Sequence, residues 1–253
     1  MAPLQTLPTL EDIWLKTLGW QPIPQQQAQF EQVYQEILAG NRRLNLTRIT
    51  EPLEFWEKHL WDSLAGLVGL GLADIVAGAQ ALQAIDIGTG AGFPGIPLAI
   101  ALPFWTVTLV DSTRKKIQFI EHLIPQLDSK NIKTLTARIE DLGQQSLYRE
   151  AYDLACIRAV GEAKVGAEYA LPLLKIGGLA ILYRGHWSPQ ETSSLEPVVT
   201  QLGGQIESVV DLTTPLSHSI RHWIYVRKVA ATPRLEIKRQ KSKGKRQWEH
   251  PSF

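Results

Sequence analysis

The chain has 253 residues, 44% of them hydrophobic, and a formal net charge of +1, which is enough for one full α/β domain plus an appendage. Its single cysteine, Cys156, excludes an intrachain disulfide and any cysteine-based metal cluster. No apolar run reaches membrane-spanning length, and the N-terminus, carrying Glu11 and Asp12, lacks a basic-then-apolar leader pattern; a cytoplasmic protein without membrane or metal is expected.

Thr9-Leu10-Glu11-Asp12 fits a capping box, and Leu10, Ile13, Trp14, Thr17 and Leu18 follow at helical spacing up to Gly19. A second helix is predicted from Gln25 to Ala39, with Phe30, Val33, Tyr34, Ile37 and Leu38 on its apolar stripe and Gly40 closing it. Asn41 to Thr50 reads as a polar connector, and a third helix runs from about Pro52 to Leu70 with Trp56, Leu60, Leu64 and Leu67 on one face. These first 75 residues read as a helical cap packed on a main domain, residues 76–230, with residues 231–253 as a tail. From Leu82 onward the pattern alternates. Strands are predicted near 83–87, 106–111, 132–136, 153–158, 178–184, 205–211 and 221–228, and helices near 95–102, 114–127, 161–174 and 188–201. That alternation predicts a mostly parallel, doubly wound sheet. Thr213 to Ser219 leaves no room for a helix, so the last two strands should form an antiparallel hairpin at the sheet's edge.

Charge is uneven along the chain. Residues 232–247 hold seven basic residues (Arg234, Lys238, Arg239, Lys241, Lys243, Lys245 and Arg246) against Glu236, leaving 19 basic and 23 acidic residues in 1–231. Such a tail reads either as a nucleic-acid arm or as a solvated end.

The densest motif is Asp86-Ile87-Gly88-Thr89-Gly90-Ala91-Gly92, between the strand candidate at Ala84–Ile87 and a helix candidate at Ile96–Leu102. Glycines at alternate positions permit a tight turn and leave no side chains in a ligand's way, while Asp86 can accept hydrogen bonds from a cofactor's hydroxyl or amino groups. The acidic-x-Gly-x-Gly-x-Gly form resembles the first motif of class I S-adenosylmethionine methyltransferases. A rival dinucleotide pattern, Gly90-Ala91-Gly92-Phe93-Pro94-Gly95, begins three residues late and carries Phe93 and Pro94 inside it, with Pro94 placed to open a helix.

In an open parallel sheet, ligands bind beyond the carboxyl ends of the strands. There the second strand ends in Asp111-Ser112-Thr113, with Asp111 near the spacing at which a carboxylate meets a ribose; Asp111 or Ser112 could equally cap the helix starting near Arg114. The third strand leads into Ala137-Arg138-Ile139-Glu140-Asp141, where Glu140 or Asp141 could face an adenine amino group as in class I methyltransferases. The fourth leads into Cys156-Ile157-Arg158-Ala159-Val160. The Asn/Asp-Pro-Pro-aromatic motif of adenine-amine methyltransferases is absent there, and Cys156 reads as a small core residue rather than a nucleophile. Arg158 could bind substrate phosphate, bind the cofactor's carboxylate, or pair with Asp153 or Glu162.

Asn45-Leu46-Thr47, His59-Leu60-Trp61-Asp62-Ser63, Phe93-Pro94-Gly95-Ile96-Pro97-Leu98, Ser112-Thr113-Arg114-Lys115-Lys116 and Arg158-Ala159 follow in that order. Over about residues 25–228 this resembles the bacterial 16S ribosomal RNA guanine-N7 methyltransferase family, known as RsmG or GidB. The resemblance implies a seven-stranded class I methyltransferase sheet, S-adenosylmethionine as cofactor, and methyl transfer to N7 of a guanine at position 527, in the 530 loop of 16S rRNA. The implied partner is 16S rRNA, the 30S subunit or an assembly intermediate, met by a monomer. It also implies Gly88, Phe93, Asp111, Ser112, Thr113, Ile139, Glu140 and Arg158 as cofactor contacts. Asp86, Gly90 and Gly92 join them from the loop motif. Where many members have Lys-Gly after the fifth strand, this chain has Arg184-Gly185; Arg158 and Arg184 are the catalytic candidates. Guanine N7 carries a free lone pair and needs no general base, and recognition must leave it free of the usual arginine fork. Backbone-contact candidates are Arg42, Arg43, Lys115, Lys116 and the tail cations Arg234, Lys238 and Arg239. His59, three residues from Asp62, could pair locally, support the cofactor loop or touch RNA.

Overall fold

The computed structural model describes residues 5–234; Lys238 and Arg239 lie outside them. Seven strands make one sheet: β1 (Gln83–Ile87), β2 (Thr106–Asp111), β3 (Ile132–Thr136), β4 (Tyr152–Arg158), β5 (Leu174–Arg184), β6 (Gly204–Thr213) and β7 (Ile220–Lys228). Their order is β3-β2-β1-β4-β5-β7-β6. β1 to β5 are parallel, and β7 runs antiparallel between β5 and β6, as the short Thr213–Ser219 link requires.

The helices are α1 (Glu11–Leu18), α2 (Pro24–Leu44), α3 (Pro52–Phe55), α4 (Asp62–Ala65), α5 (Leu72–Gly78), α6 (Gly95–Ala101), α7 (Arg114–Leu123), α8 (Ile139–Leu142), α9 (Ala163–Ala170) and α10 (Pro189–Gln201). A π-helical turn, Trp56–Trp61, joins α3 to α4. Among the described residues, no single helix is long and apolar enough to cross a membrane.

The central strands β1, β2 and β4 are buried on both faces, hence their Val/Ile/Leu/Ala runs, whereas β3 and β6 at the sheet's edges are mostly half-buried or exposed. One face packs against the N-terminal helices, α6 and α7 in a core containing Trp14, Trp56, Trp61, Trp105 and Trp223; α9 and α10 cover the other. The cap is keyed to the sheet by hydroxyls: Tyr183 and Tyr225 donate to the Ser63 and Gly66 carbonyls, each at 2.9 Å.

Two local predictions fail for tertiary reasons. Gly40 does not end α2, which continues to Leu44; a Cβ there would lie 2.6 Å from the Phe119 ring, so the glycine admits α7 rather than stopping the helix. Thr9 does not cap α1: Leu10 takes the N-cap position at φ 44°, with no side-chain cap, because it packs into the core. The boundary drawn at residue 75 falls inside α5, and cap and sheet share one core.

Candidate active site

The glycine loop leaves β1 at the carboxyl edge of the sheet and is held from both ends by carboxylates. Asp86, fully buried, accepts from Thr89 Oγ1 at 2.6 Å and from the Gly95 amide at 2.9 Å through one oxygen. Its other oxygen, Oδ1, is buried without a partner, and burial pushes its pKa up to about 6. Asp111 accepts from the Gly90 amide at 3.1 Å and the Thr113 amide at 2.8 Å, and Lys116 Nζ stands 3.7 Å from it. The Gly88 and Thr89 amides both donate to Val110 O at 2.9 Å. The loop is therefore a rigid shelf. Gly88 and Gly95 are required by close approach: a Cβ on Gly95 would sit 2.8 Å from Asp86 Oδ2, and one on Gly88 2.6 Å from Val160 Cγ2. Pro94 takes the N-cap position of α6, joined to Phe93 by a cis peptide bond.

Above this shelf a cavity of about 380 Å³ is lined by Gly88, Asp111, Ser112, Thr113, Ile139, Glu140, Ala159 and Val160, with Lys116, Arg138 and Tyr169. The loops after β1, β2, β3 and β4 thus converge as predicted. Neither Asp111 nor Ser112 occupies the N-cap of α7, which is Thr113. Glu140 lines the cavity, and its Oε1 accepts the Tyr169 hydroxyl at 3.0 Å; burial and this carboxylate raise the Tyr169 pKa to about 12. Tyr169 was not legible in the sequence, since only the docking of α9 brings it to Glu140, 29 positions away. A larger cleft of about 520 Å³ involves Gln25, Gln29, Trp105 and Asn131 and lacks the glycine shelf.

Of the residues expected to contact a cofactor, Asp86, Gly90, Gly92, Phe93 and Arg158 are not among those lining the cavity. Arg158 pairs with neither Asp153 nor Glu162. Its Nη1 donates to Lys58 O at 2.8 Å and Asp62 Oδ2 at 3.1 Å, and its Nη2 to His59 Nδ1 at 3.2 Å. Asp153 instead serves Lys175 and the Gln83 amide. Asp62, buried, also receives Arg221 at 3.0 Å and 3.2 Å. His59 is buried, stacks on Phe93 with centroids 4.4 Å apart, and reaches Thr47 Oγ1 through Nε2 at 2.8 Å. Burial, then Arg158, lowers its pKa to about 3, so the ring is neutral; because a guanidinium only donates, Nδ1 accepts and the proton is on Nε2. His59 is thus buried against the glycine loop through Phe93 rather than presented to solvent. Arg184 donates to Gly161 O at 2.8 Å, bracing the loop after β4 from below, and burial lowers its pKa. Lys116 lines the cavity, with its Nζ 3.7 Å from Asp111. Arg42, Arg43, Lys115 and Arg234 are exposed.

A 3-2-1-4-5-7-6 sheet with an antiparallel seventh strand, and a glycine loop after its first strand beside a cavity lined by Asp111 and Glu140, are the fold and loop arrangement of class I S-adenosylmethionine-dependent methyltransferases. The fold is similar to that of a mutant 16S rRNA (adenine(1408)-N(1))-methyltransferase from Catenulisporales acidiphilia, at TM-score 0.50 and 17% identity, over 64% of this chain and 91% of that one. A family model described as rRNA small subunit methyltransferase G matches residues 26–222. Curated relatives named ribosomal RNA small subunit methyltransferase G are 58% identical in Trichormus variabilis, over 90% of this chain and 92% of the relative, and 54% identical in Trichodesmium erythraeum, over 91% and 90%. The chain belongs to the rRNA small subunit methyltransferase G family, whose members use S-adenosylmethionine to methylate guanine N7 in 16S rRNA.

Proposed function

We propose that the cavity over the glycine shelf receives S-adenosylmethionine and that this chain methylates N7 of guanine 527 in the 530 loop of 16S rRNA, acting as a cytoplasmic monomer. The observation that carries the reading is the convergence of Asp111, Glu140 and a side-chain-free loop on one 380 Å³ space. Asp111 is placed for ribose hydroxyls, Glu140 and Ile139 for the adenine edge, and Gly88 and Ser112 for close backbone approach. The cofactor supplies an electrophilic methyl group on a sulfonium.

N7 attacks through a lone pair already free, so the protein removes no proton before the transfer; it aligns the atoms and excludes water. Positive charge moves onto the guanine ring during the step, and an unpaired cation against its imidazole edge would oppose it. Arg158 fits this requirement because its guanidinium is engaged by Asp62, Lys58 O and His59. We read it as a positioning residue that locks cap to loop, and Arg184 as a brace. Since the base must keep N7 open, it is held by O6, by its Watson–Crick edge or by stacking, in a loop or turned out of its stack.

The test incubates the purified protein with methyl-labelled cofactor and, separately, naked 16S rRNA, 30S particles and a small-molecule and protein panel, then maps the label. Label at N7 of guanine 527 supports the reading. Label only on a small molecule or protein replaces it with that class of methyltransferase. Cofactor and RNA binding without transfer would indicate an assembly factor.

A further inference from the structure

The mouth of the cavity is electrically lopsided. α2 and α7 pack antiparallel: Gln29 donates to Leu127 O at 2.6 Å, Gln32 to Gln126 at 3.0 Å, and Gly40 lies under Phe119. Continuing that alignment by one helical turn brings the last turn of α2, with Arg42 and Arg43, beside the first turn of α7, with Arg114 and Lys115. The first turn of α7 follows β2 directly, and Ser112 and Thr113 before it line the cavity, so this junction stands at the cofactor's edge of the sheet. Arg48 belongs to the same end of α2: it follows Thr47, whose backbone is held by the Asn41 side chain of that last turn at 2.6 Å and 3.0 Å. Arg42, Arg43, Arg48, Arg114 and Lys115 are all exposed, and the described ion pairs involve none of them.

The opposite flank, from α8 to α9, has Arg138 and Lys164 against Glu140, Asp141, Glu162 and Glu168. A polyanion approaching the cavity meets net attraction on one side and net repulsion on the other.

We propose that the α2–α7 junction is the RNA track: the phosphodiester backbone flanking the target guanine lies along Arg42, Arg43, Arg48, Arg114 and Lys115, and the α8–α9 flank stays free of RNA. This rests on the reading of the chain as an rRNA methyltransferase but is tested by binding, independently of turnover. Several cations on one track replace condensed counterions at several phosphates, so affinity must fall steeply with salt, and each lost contact must flatten that dependence. A track on one side also fixes the direction from which the strand enters, which a diffuse positive surface does not.

The experiment titrates a fluorescent RNA hairpin of the 530 region with the full chain, with Arg42→Glu/Arg43→Glu, with Arg114→Glu/Lys115→Glu, and with Lys133→Glu/Lys164→Glu as a charge-matched control away from the track, each over a range of salt. Both track variants should weaken binding by about tenfold or more at low salt and reduce the log–log salt slope by roughly one to two. S-adenosylhomocysteine affinity and unfolding midpoint should stay at parental values, and the control should bind within about twofold of the parent. Track variants that bind like the parent, or a control that weakens as much as they do, overturn the proposal. Because RNA binding is read directly, a parent that binds RNA through this track yet transfers no methyl group would refute the proposed activity and leave the track standing.

Discussion

At the joint between cap and sheet, Asp62 is buried and both of its oxygens are occupied, by Arg158 and Arg221, while His59 is fixed between Thr47, Phe93 and Arg158. In the cavity, Glu140 has one oxygen on Tyr169, and Asp111 holds two loop amides while still lining open space. The joint spends its polar groups on other parts of the protein; the cavity leaves polar groups facing a volume of ligand size. On the proposed function, the first region gives stability and shape and the second gives binding, although both abut the same glycine loop.

Substitutions should separate the two. The largest effect is expected from Asp62→Ala, which strands two guanidiniums at the joint. With Arg221 still partly exposed, the cost should be about 3 kcal/mol, or roughly 10 °C in thermal midpoint. A thermal melt unchanged from the parent would remove the joint's structural role.

His59→Asn, whose amide oxygen can replace Nδ1 as an acceptor, sharpens the comparison through pH. The folded His59 pKa is lowered to about 3 from 6.5, so the unfolded chain binds more protons across that window; the resulting stability is present at neutral pH and is lost as pH falls. Asp86, raised to about 6 from 3.8, acts oppositely, its folded state gaining relative stability as pH falls through that value. Denaturant titrations at pH 4.5 and 7 should show the variant's change in stability differing from the parent's by about 3 kcal/mol. Equal changes would mean that His59 is not buried neutral.

Smaller effects belong to the cavity. Glu140→Gln should raise the dissociation constant for S-adenosylhomocysteine about tenfold with little change in melting. Tyr169→Phe, which removes only the hydroxyl that orients Glu140, should raise it about threefold, and kcat at saturating cofactor should hold. A loss of kcat without a change in cofactor affinity would move both residues away from the adenine edge.

How far the sequence foretold this follows from the distance over which each feature is decided. The glycine shelf and the turns after β2 and β3 are built by contiguous residues at the ends of strands, so motif and position sufficed. The π-helical turn, the helical continuation through Gly40 and the left-handed Leu10 are set by what packs against them. The Arg158 partnership joins residues 96 to 100 positions apart, and the two carboxylates weighed for it in the sequence, Asp153 and Glu162, are nearby in the chain but not its partners. The sequence left His59 open between local pairing, support of the glycine loop and RNA contact, because charge and polarity can be read along the chain, whereas burial cannot.

The central claim is that the shelf above β1, flanked by Asp111 and Glu140, holds the methyl donor. Calorimetric titration of the folded chain with S-adenosylhomocysteine, beside an Asp111→Asn variant shown to be folded, tests it most directly. The account predicts one saturable site per chain, weakened about tenfold or more by the substitution. A parent with no saturable binding, or a variant that binds as tightly as the parent, would contradict it.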